Sequence, residues 1–294
     1  RFLQFMPSAL LGFHQSAEQE LRVDYCAQHG IDIQRRITGG GAIYFDPTQI
    51  GWELYLDRAI VGTGDMFEIA QRICDMAARG ISALGVDARF RPRNDIEVDG
   101  KKISGTGGAF DGDAILYQGT LLVDFDVERM LRVLRIPMEK LSDKAIASAR
   151  ERVANLKDLL GAPPSLIEVK RALTQAFAAG FGVEFAHAAD LNAVEQQRFA
   201  AALREIDTPD WVFQHARPQN EAPMVTGLHK SPGGLIRVDL MIDPAKERIK
   251  QAWFTGDFFV NPKRMVADLE AALRESSLSD YAATVNRFFD GYVV

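Results

Sequence analysis

Short apolar runs alternate along the chain with stretches whose apolar residues recur at helical spacing, a pattern that predicts a mixed α and β architecture. Leu10, Leu11 and Phe13 mark a strand. Ser16 with Gln19 three positions on has the form of a capping box, so a helix is predicted from there to Gly30. Ile31 and Ile33 alternate into a further strand, and a helix opens at Asp65 with Glu68, presents Met66, Ile69, Ile73 and Ala77 on one face, and stops at Gly80. Ile96 and Val98 lead into an Asp99-Gly100 hairpin turn and return through Lys101 to Gly105. Gly105 to Gly108 is expected to be flexible, and Ile115 to Val123 forms another strand. Helices are predicted near Val127–Leu134, Ser165–Ala179 and Asp190–Ile206, with Ser165 and Glu168 as another capping box.

Composition breaks at Arg217 to Gly234, where prolines, glycines and polar residues gather. Beyond the break, Ile236, Val238, Leu240 and Ile242 alternate as a strand, Ile249 to Phe254 supplies a partner, and Asn261-Pro262 opens a helix with the stripe Met265, Val266, Leu269 and Leu273. The expected division is a larger domain over 1–216 and a small α/β accessory domain over 217–294, α+β in class.

With 47% apolar and 25% charged residues, the 294-residue chain has the profile of a soluble globular protein. A net charge of −6 excludes a general nucleic-acid binder, and no apolar run reaches membrane-spanning length, so neither nucleic acid nor membrane is an expected partner. Two cysteines, Cys26 and Cys74, build no disulfide framework and suit a reducing, cytoplasmic setting. Both fall in amphipathic helices, as buried inert thiols do. The five histidines lack metal-ligand spacing. The chain starts at Arg1 within a strand-like run, from which its natural start is expected to lie upstream.

The candidate chemistry gathers around Arg35-Arg36-Ile37-Thr38-Gly39-Gly40-Gly41, two arginines running into a glycine triplet. Such a triplet admits close backbone approach, and arginine favours an anion such as phosphate or carboxylate. An ordinary tight turn is the competing reading.

Several stretches together resemble the lipoate–protein ligases. Arg35 to Tyr44 is similar to their Arg-Arg-x-x-Gly-Gly-Gly-Ala-Val-Tyr signature, and Arg93-Asn94-Asp95-Ile96 to their Arg-Asn-Asp segment. Lys102-Ile103-Ser104-Gly105 resembles the motif of the family's signature lysine, and Gly119-Thr120-Leu121-Leu122 the strand after it. Ser148 to Leu156 and Asp210-Trp211-Val212-Phe213 resemble later blocks, in the family's order. The resemblance implies a biotin/lipoate ligase-type catalytic domain of mixed sheets flanked by helices, and an enzyme that joins lipoate to ATP, with Mg²⁺, to give lipoyl-AMP. The acyl group would then pass to a lysine of an acceptor: a dehydrogenase E2 domain, the glycine-cleavage H protein or a related lipoate-binding protein. A monomer is expected.

On that resemblance Lys102 is the catalytic candidate, a cation between the lipoate carboxylate and the α-phosphate. Losing one such preorganised donor costs about 2.7–4 kcal/mol of barrier. A solvated strand lysine beside Lys101 is the competing reading. Arg36, Gly39, Gly40, Gly41, Asn94, Ser104, Gly105, Thr106, Gly107 and Gln118 are the implied lipoyl-AMP and ATP contacts, and Asp95 the implied Mg²⁺ ligand. Arg35 is expected to be scaffold. Arg150, Arg152 and Asn155 bind pyrophosphate or hold the domain together. The chain departs from the family at Phe45-Asp46-Pro47, at Gln118 where histidine is common, and at Gly107-Gly108-Ala109 where an arginine is usual. The glycine-rich version resembles archaeal-type ligases, whose accessory domain is a separate polypeptide. Octanoyl- or lipoyl-transferases of the same fold are the nearest alternative, and a non-catalytic lipoyl-binding relative another. A lid is expected at Gly105–Gly112 or at the 217–234 break.

Overall fold

A computed structural model describes residues 1–62, 64–92, 94–135, 143–187, 190–216, 223–231 and 233–292. The first part of the chain runs β1 (Phe2–Leu3), β2 (Ser8–Leu11), α1 (Ala17–Glu20), α2 (Val23–Gln28), β3 (Asp32–Arg35), β4 (Ile43–Phe45), β5 (Gln49–Asp57), α3 (Arg58–Val61) and α4 (Met66–Ser82). It continues through β6 (Ala88–Arg91), β7 (Asp95–Val98), β8 (Lys101–Asp111), β9 (Ala114–Leu122), α5 (Val127–Val133), α6 (Asp143–Arg150), α7 (Leu156–Leu160), α8 (Leu166–Phe181), α9 (Ala193–Ile206) and α10 (Pro209–Val212). It ends with β10 (Met224–Ser231), β11 (Gly234–Asp243), β12 (Arg248–Phe258), α11 (Met265–Leu273) and α12 (Tyr281–Gly291). The class is α+β, with three sheets among the described residues and helices packed on them.

Contacts divide the chain into two units that do not follow sequence order. The first holds Arg1–Ala9, Arg22–Ile33 and Ile43–Asp207; the second holds Leu10–Leu21, Gln34–Ala42 and Thr208–Val294.

The frame of the first unit is a six-stranded sheet of order β1-β5-β9-β8-β7-β6. Period-2 alternation sends Trp52 and Leu54 of β5 and Ile115, Tyr117 and Leu121 of β9 into a core shared with Ile69, Ile73 and Ala77 of α4. Each fully buried side chain of this size contributes about 1.5–3 kcal/mol. Asp65 caps α4 by accepting from Phe67 N. The helix passes through Gly80, the predicted stop, because that residue lies against Leu173 and Ala172 of α8 and so permits close helix packing. Ser165 caps α8 in the predicted capping box.

Two other expectations fail locally. Ser16 makes no side-chain cap, and its hydroxyl donates to Glu18 Oε2 at 2.9 Å. The helix expected there breaks at Leu21-Arg22 into α1 and α2. Gly105 to Gly108, expected to be flexible, is regular strand, with Thr106 to Asp111 paired to Gly119 to Ala114.

The second unit is built on the sheet β10-β11-β12, backed by α11 and α12 around Ile249, Ala252, Leu269 and Leu273. Met224–Ser231 adds a strand inside the expected break; of that break, residues 217–222 and 232 lie outside the described residues. The predicted strands at Ile236–Ile242 and Ile249–Phe254 are present as β11 and β12. The helix read from Asn261-Pro262 begins later, at Met265. Early sequence joins this unit through Gln19: its Oε1 accepts from Thr255 Oγ1 at 3.0 Å, and its Nε2 donates to Asp239 Oδ2 at 3.3 Å. Asp239 is fully buried, and its other oxygen accepts from Thr226 Oγ1 at 2.6 Å.

Candidate functional site

The Asp99-Gly100 turn, with φ of 50° and 74°, closes β7 on β8 and brings the Asn94-Asp95 and Lys102 motifs onto neighbouring strands. A register shift at Ile96/Glu97 leaves Ile103 as the extra residue, so Glu97 opposes Lys102 and Asp95 opposes Gly105. On its other side Lys102 is pinned by the block after α6: its N–H donates to Arg152 O at 2.9 Å, and its carbonyl accepts from Ala154 N at 2.8 Å. Asn155 holds Phe125 from both backbone groups, at 2.8 and 3.2 Å. The Arg152 and Asn155 block thus holds the Lys102 strand and its neighbours in place.

The Lys102 side chain runs over Gly105 and sets Nζ 2.7 Å from Asp95 Oδ1. Glycine at 105 is a condition of that path, since a Cβ there would lie 2.8 Å from Nζ and 2.9 Å from Cε. Asp95 Oδ1 is buried and has no aligned hydrogen-bond donor among the described residues, so the contact is one of charge. Oδ2 accepts from Arg91 at 2.6 Å, and Arg91 reaches Glu97 at 3.2 Å. Asp95 therefore serves two cations. Mg²⁺ would have to displace one of them to reach it, and among the described residues no cluster of three acidic, histidine or cysteine side chains is present. Asp95 as arranged is a poor fit to a metal ligand.

Around this pair the other candidates take different parts. Asn94 Nδ2 donates to Thr106 O at 2.9 Å, while Asn94 O accepts from Thr106 N at 2.8 Å and from Thr106 Oγ1 at 2.9 Å. Ser104 is fully buried, and its hydroxyl has no partner among the described residues. Gly107 and Gln118 face each other across β8 and β9. Thr120, which the sequence reading left out of the site, donates and accepts at Gly105, with Gly105 N 3.2 Å from its hydroxyl. Its signal was alternation: Tyr117, Gly119 and Leu121 point to the core, so Gln118 and Thr120 occupy the opposite face. Arg93 lies outside the described residues.

Arg36 and the glycine triplet belong to the second unit. Arg36 donates to Thr38 Oγ1 at 3.1 Å, Leu10 O at 3.2 Å, and Gly39 O and Gly41 O at 2.8 Å each. Four of the five guanidinium N–H donors are thereby used, three on its own loop and one on β2. Burial pushes its pKa down to about 10, opposed by Asp257, so it stays charged at neutral pH. Arg35 is buried and bonds the carbonyls of Gly12, Phe13, Gln15, Trp211 and Val212. Five acceptors offset the cost of burying its charge, which lowers its pKa to about 10. Gly40 has φ of 91°, and its N–H donates to Phe258 O at 3.1 Å. A Cβ on Gly39 would lie 2.4 Å from Phe258 O. The backbone these glycines admit is that of β12. Behind it His14 stacks on Phe258 at 4.8 Å, and burial pushes the His14 and His215 imidazoles down to about 4.

The thiols match the inert reading, because burial pushes both Cys26 and Cys74 up. No helix of the described residues is long and apolar enough to cross a membrane.

Comparison with known proteins gives one consistent result. A family profile described as the lipoyl protein ligase A/B catalytic domain matches residues 1–178. Lipoate–protein ligase 1 of Staphylococcus aureus is 28% identical over 267 residues, covering 91% of this chain and 77% of its own. Among solved structures, a bi-partite lipoate protein ligase from Thermoplasma acidophilum, described with its E2 lipoyl domain, superposes with a TM-score of 0.66 at 30% identity. That match covers 74% of this chain and 85% of the other. A lipoate-protein ligase A bound with ATP gives 0.63 at 28% identity, covering 72% and 84%.

Proposed function

Since the chain belongs to the lipoyl protein ligase A/B catalytic-domain family, we propose that it activates lipoate with ATP through Lys102 and passes the lipoyl group to a lysine of a lipoyl acceptor domain. It is an ATP-dependent lipoate–protein ligase. The observation that carries the residue assignment is the Lys102 ammonium held 2.7 Å from Asp95 over the bare strand surface of Gly105.

Adenylation brings a carboxylate against the ATP α-phosphate, two anions that repel. A fixed ammonium at Lys102 neutralises part of that charge and orients the attacking oxygen. The same donor then meets the oxygen of the lipoyl-AMP carbonyl as the acceptor amine attacks and negative charge grows there. Asp95 holds the ammonium until anionic substrate competes for it. Gly105, Gly107 and Gln118 line the strand face next to it, and Asn94, Ser104 and Thr106 keep that face in register. The acceptor class is a lipoyl domain of the E2 type or a related lipoate-binding protein.

Lipoate-dependent exchange of pyrophosphate into ATP tests this reading. Wild-type protein should exchange, and folded Lys102→Ala should not. Normal exchange by Lys102→Ala would remove the lysine from the mechanism. Acyl transfer from a carrier protein without any exchange would mark a transferase instead.

A further inference from the structure

Beneath the strand that carries Lys102, on the face turned to α4, three core groups meet. Thr106 Oγ1 lies 2.9 Å from Tyr117 OH and 3.3 Å from Cys74 Sγ, and Cys74 Sγ lies 3.4 Å from Tyr117 OH. Cys74 is fully buried, Tyr117 is 1% exposed and Thr106 7%. None of the three reaches the strand surface on which Lys102 lies.

The protons of this cluster have one consistent order. Thr106 gives its hydroxyl proton to Asn94 O at 2.9 Å, so toward Tyr117 it accepts and the phenol donates. Tyr117 oxygen in turn accepts from the Cys74 thiol. Burial pushes both the thiol and the phenol up, which keeps each proton in place as a donor. The relay runs from α4 through β9 and β8 and ends on the carbonyl of Asn94, the residue before Asp95. Hydrogen bonds linked in this way polarise and strengthen one another in a dry core.

We propose that Cys74 and Tyr117 are positioning residues for the Lys102–Asp95 pair. They act through Thr106, fixing the Asn94–Asp95 peptide so that the Asp95 carboxylate meets Lys102 Nζ at 2.7 Å. This rests on the assignment of Lys102 above. It adds two core residues, from α4 and β9, that no reading of the site motifs included. Misplacing a catalytic group by about 1 Å costs on the order of a hundredfold in rate, and loss of part of the relay shifts the peptide by less than that.

The test compares Tyr117→Phe, Cys74→Ala, Cys74→Ser and Lys102→Ala in lipoate-dependent pyrophosphate exchange, with thermal unfolding of each. Tyr117→Phe and Cys74→Ala should lower kcat about five- to tenfold, with the KM values for ATP and lipoate within twofold of wild type. Cys74→Ser, which keeps a donor at that position, should recover most of the Cys74→Ala loss. A purely structural role would lower the unfolding temperature and leave kcat per folded molecule unchanged. Wild-type kcat in both Tyr117→Phe and Cys74→Ala, beside an inactive Lys102→Ala, overturns the relay and leaves the lysine assignment standing. An active Lys102→Ala overturns both. Should Tyr117→Phe fail to fold, the Cys74→Ala and Cys74→Ser comparison decides alone: equal kcat in the two refutes the relay.

Discussion

Replacing Gly105 by alanine places one methyl group in the path of the Lys102 side chain. The new Cβ would lie 2.8 Å from Nζ and 2.9 Å from Cε, whereas an ordinary van der Waals contact begins at 3.4 Å. The ammonium must therefore retreat by at least 0.6 Å (3.4 less 2.8), and the 2.7 Å contact with Asp95 is disturbed by a similar amount. The backbone at 105 lies outside the left-handed region, and the displaced atoms are the far end of a flexible chain, so the fold should accept the change cheaply. Catalysis should not. A displacement of this order at a reacting group costs up to about a hundredfold, or roughly 2.7 kcal/mol of barrier. Single-turnover formation of lipoyl-AMP, with the unfolding temperature measured in parallel, separates the two effects. The expected result is a ten- to hundredfold slower adenylation at unchanged stability. Adenylation within twofold of wild type would refute the argument that the position of Nζ over Gly105 sets the rate.

Further outcomes follow from the second unit. Arg36→Lys keeps the charge but cannot reach the carbonyls of Leu10, Gly39 and Gly41 together, so urea unfolding of that unit should come easier by about 2 kcal/mol. Unchanged stability would show that the guanidinium bonds contribute little to holding the loop. The unfolded His14 imidazole takes its proton near 6.5 and the folded one only near 4. Acid therefore favours unfolding across that interval, stability is complete above 6.5, and the loss by pH 4 is on the order of 3 kcal/mol. Thermal unfolding from pH 7 to 4 should show this dependence and His14→Phe should weaken it; an equal slope in the two proteins would assign the effect elsewhere.

Local signals in the sequence were read correctly where a short stretch decides its own conformation. Asp99-Gly100 supplies a turn that needs positive φ at both positions, and Ser165 with Glu168 caps its helix from three residues away. The order of the Asp95 and Lys102 motifs sufficed to put them on adjacent strands. Distant partners overrode the rest. Gln19 has the spacing of a capping box, yet its side chain serves Asp239 and Thr255, more than two hundred residues on. Gly105 to Gly108 has the composition of a loop, but pairing with β9 makes it strand. Arg36 next to glycines suggests an anion, and the acceptors it finds are carbonyls of its own loop. Met224–Ser231 is mostly exposed, so it lacks the alternation that would have marked it as strand. Cys74, Thr106 and Tyr117 meet across separations of 32 and 11 residues, which no local spacing encodes.

Because the second unit is assembled from Leu10–Leu21, Gln34–Ala42 and Thr208–Val294, its integrity does not depend on an unbroken chain. Early and late sequence are joined by Gly256 N–H donating to His14 O at 3.0 Å, by Gly40 N–H donating to Phe258 O at 3.1 Å, and by Gln19, which bonds both Asp239 and Thr255. A single protease cut after Thr208–Val212 should accordingly leave two fragments that travel together through a sizing column and part only in denaturant. The same stitching makes the protein a candidate for split reconstitution, in which two separately produced pieces recover lipoylation on mixing.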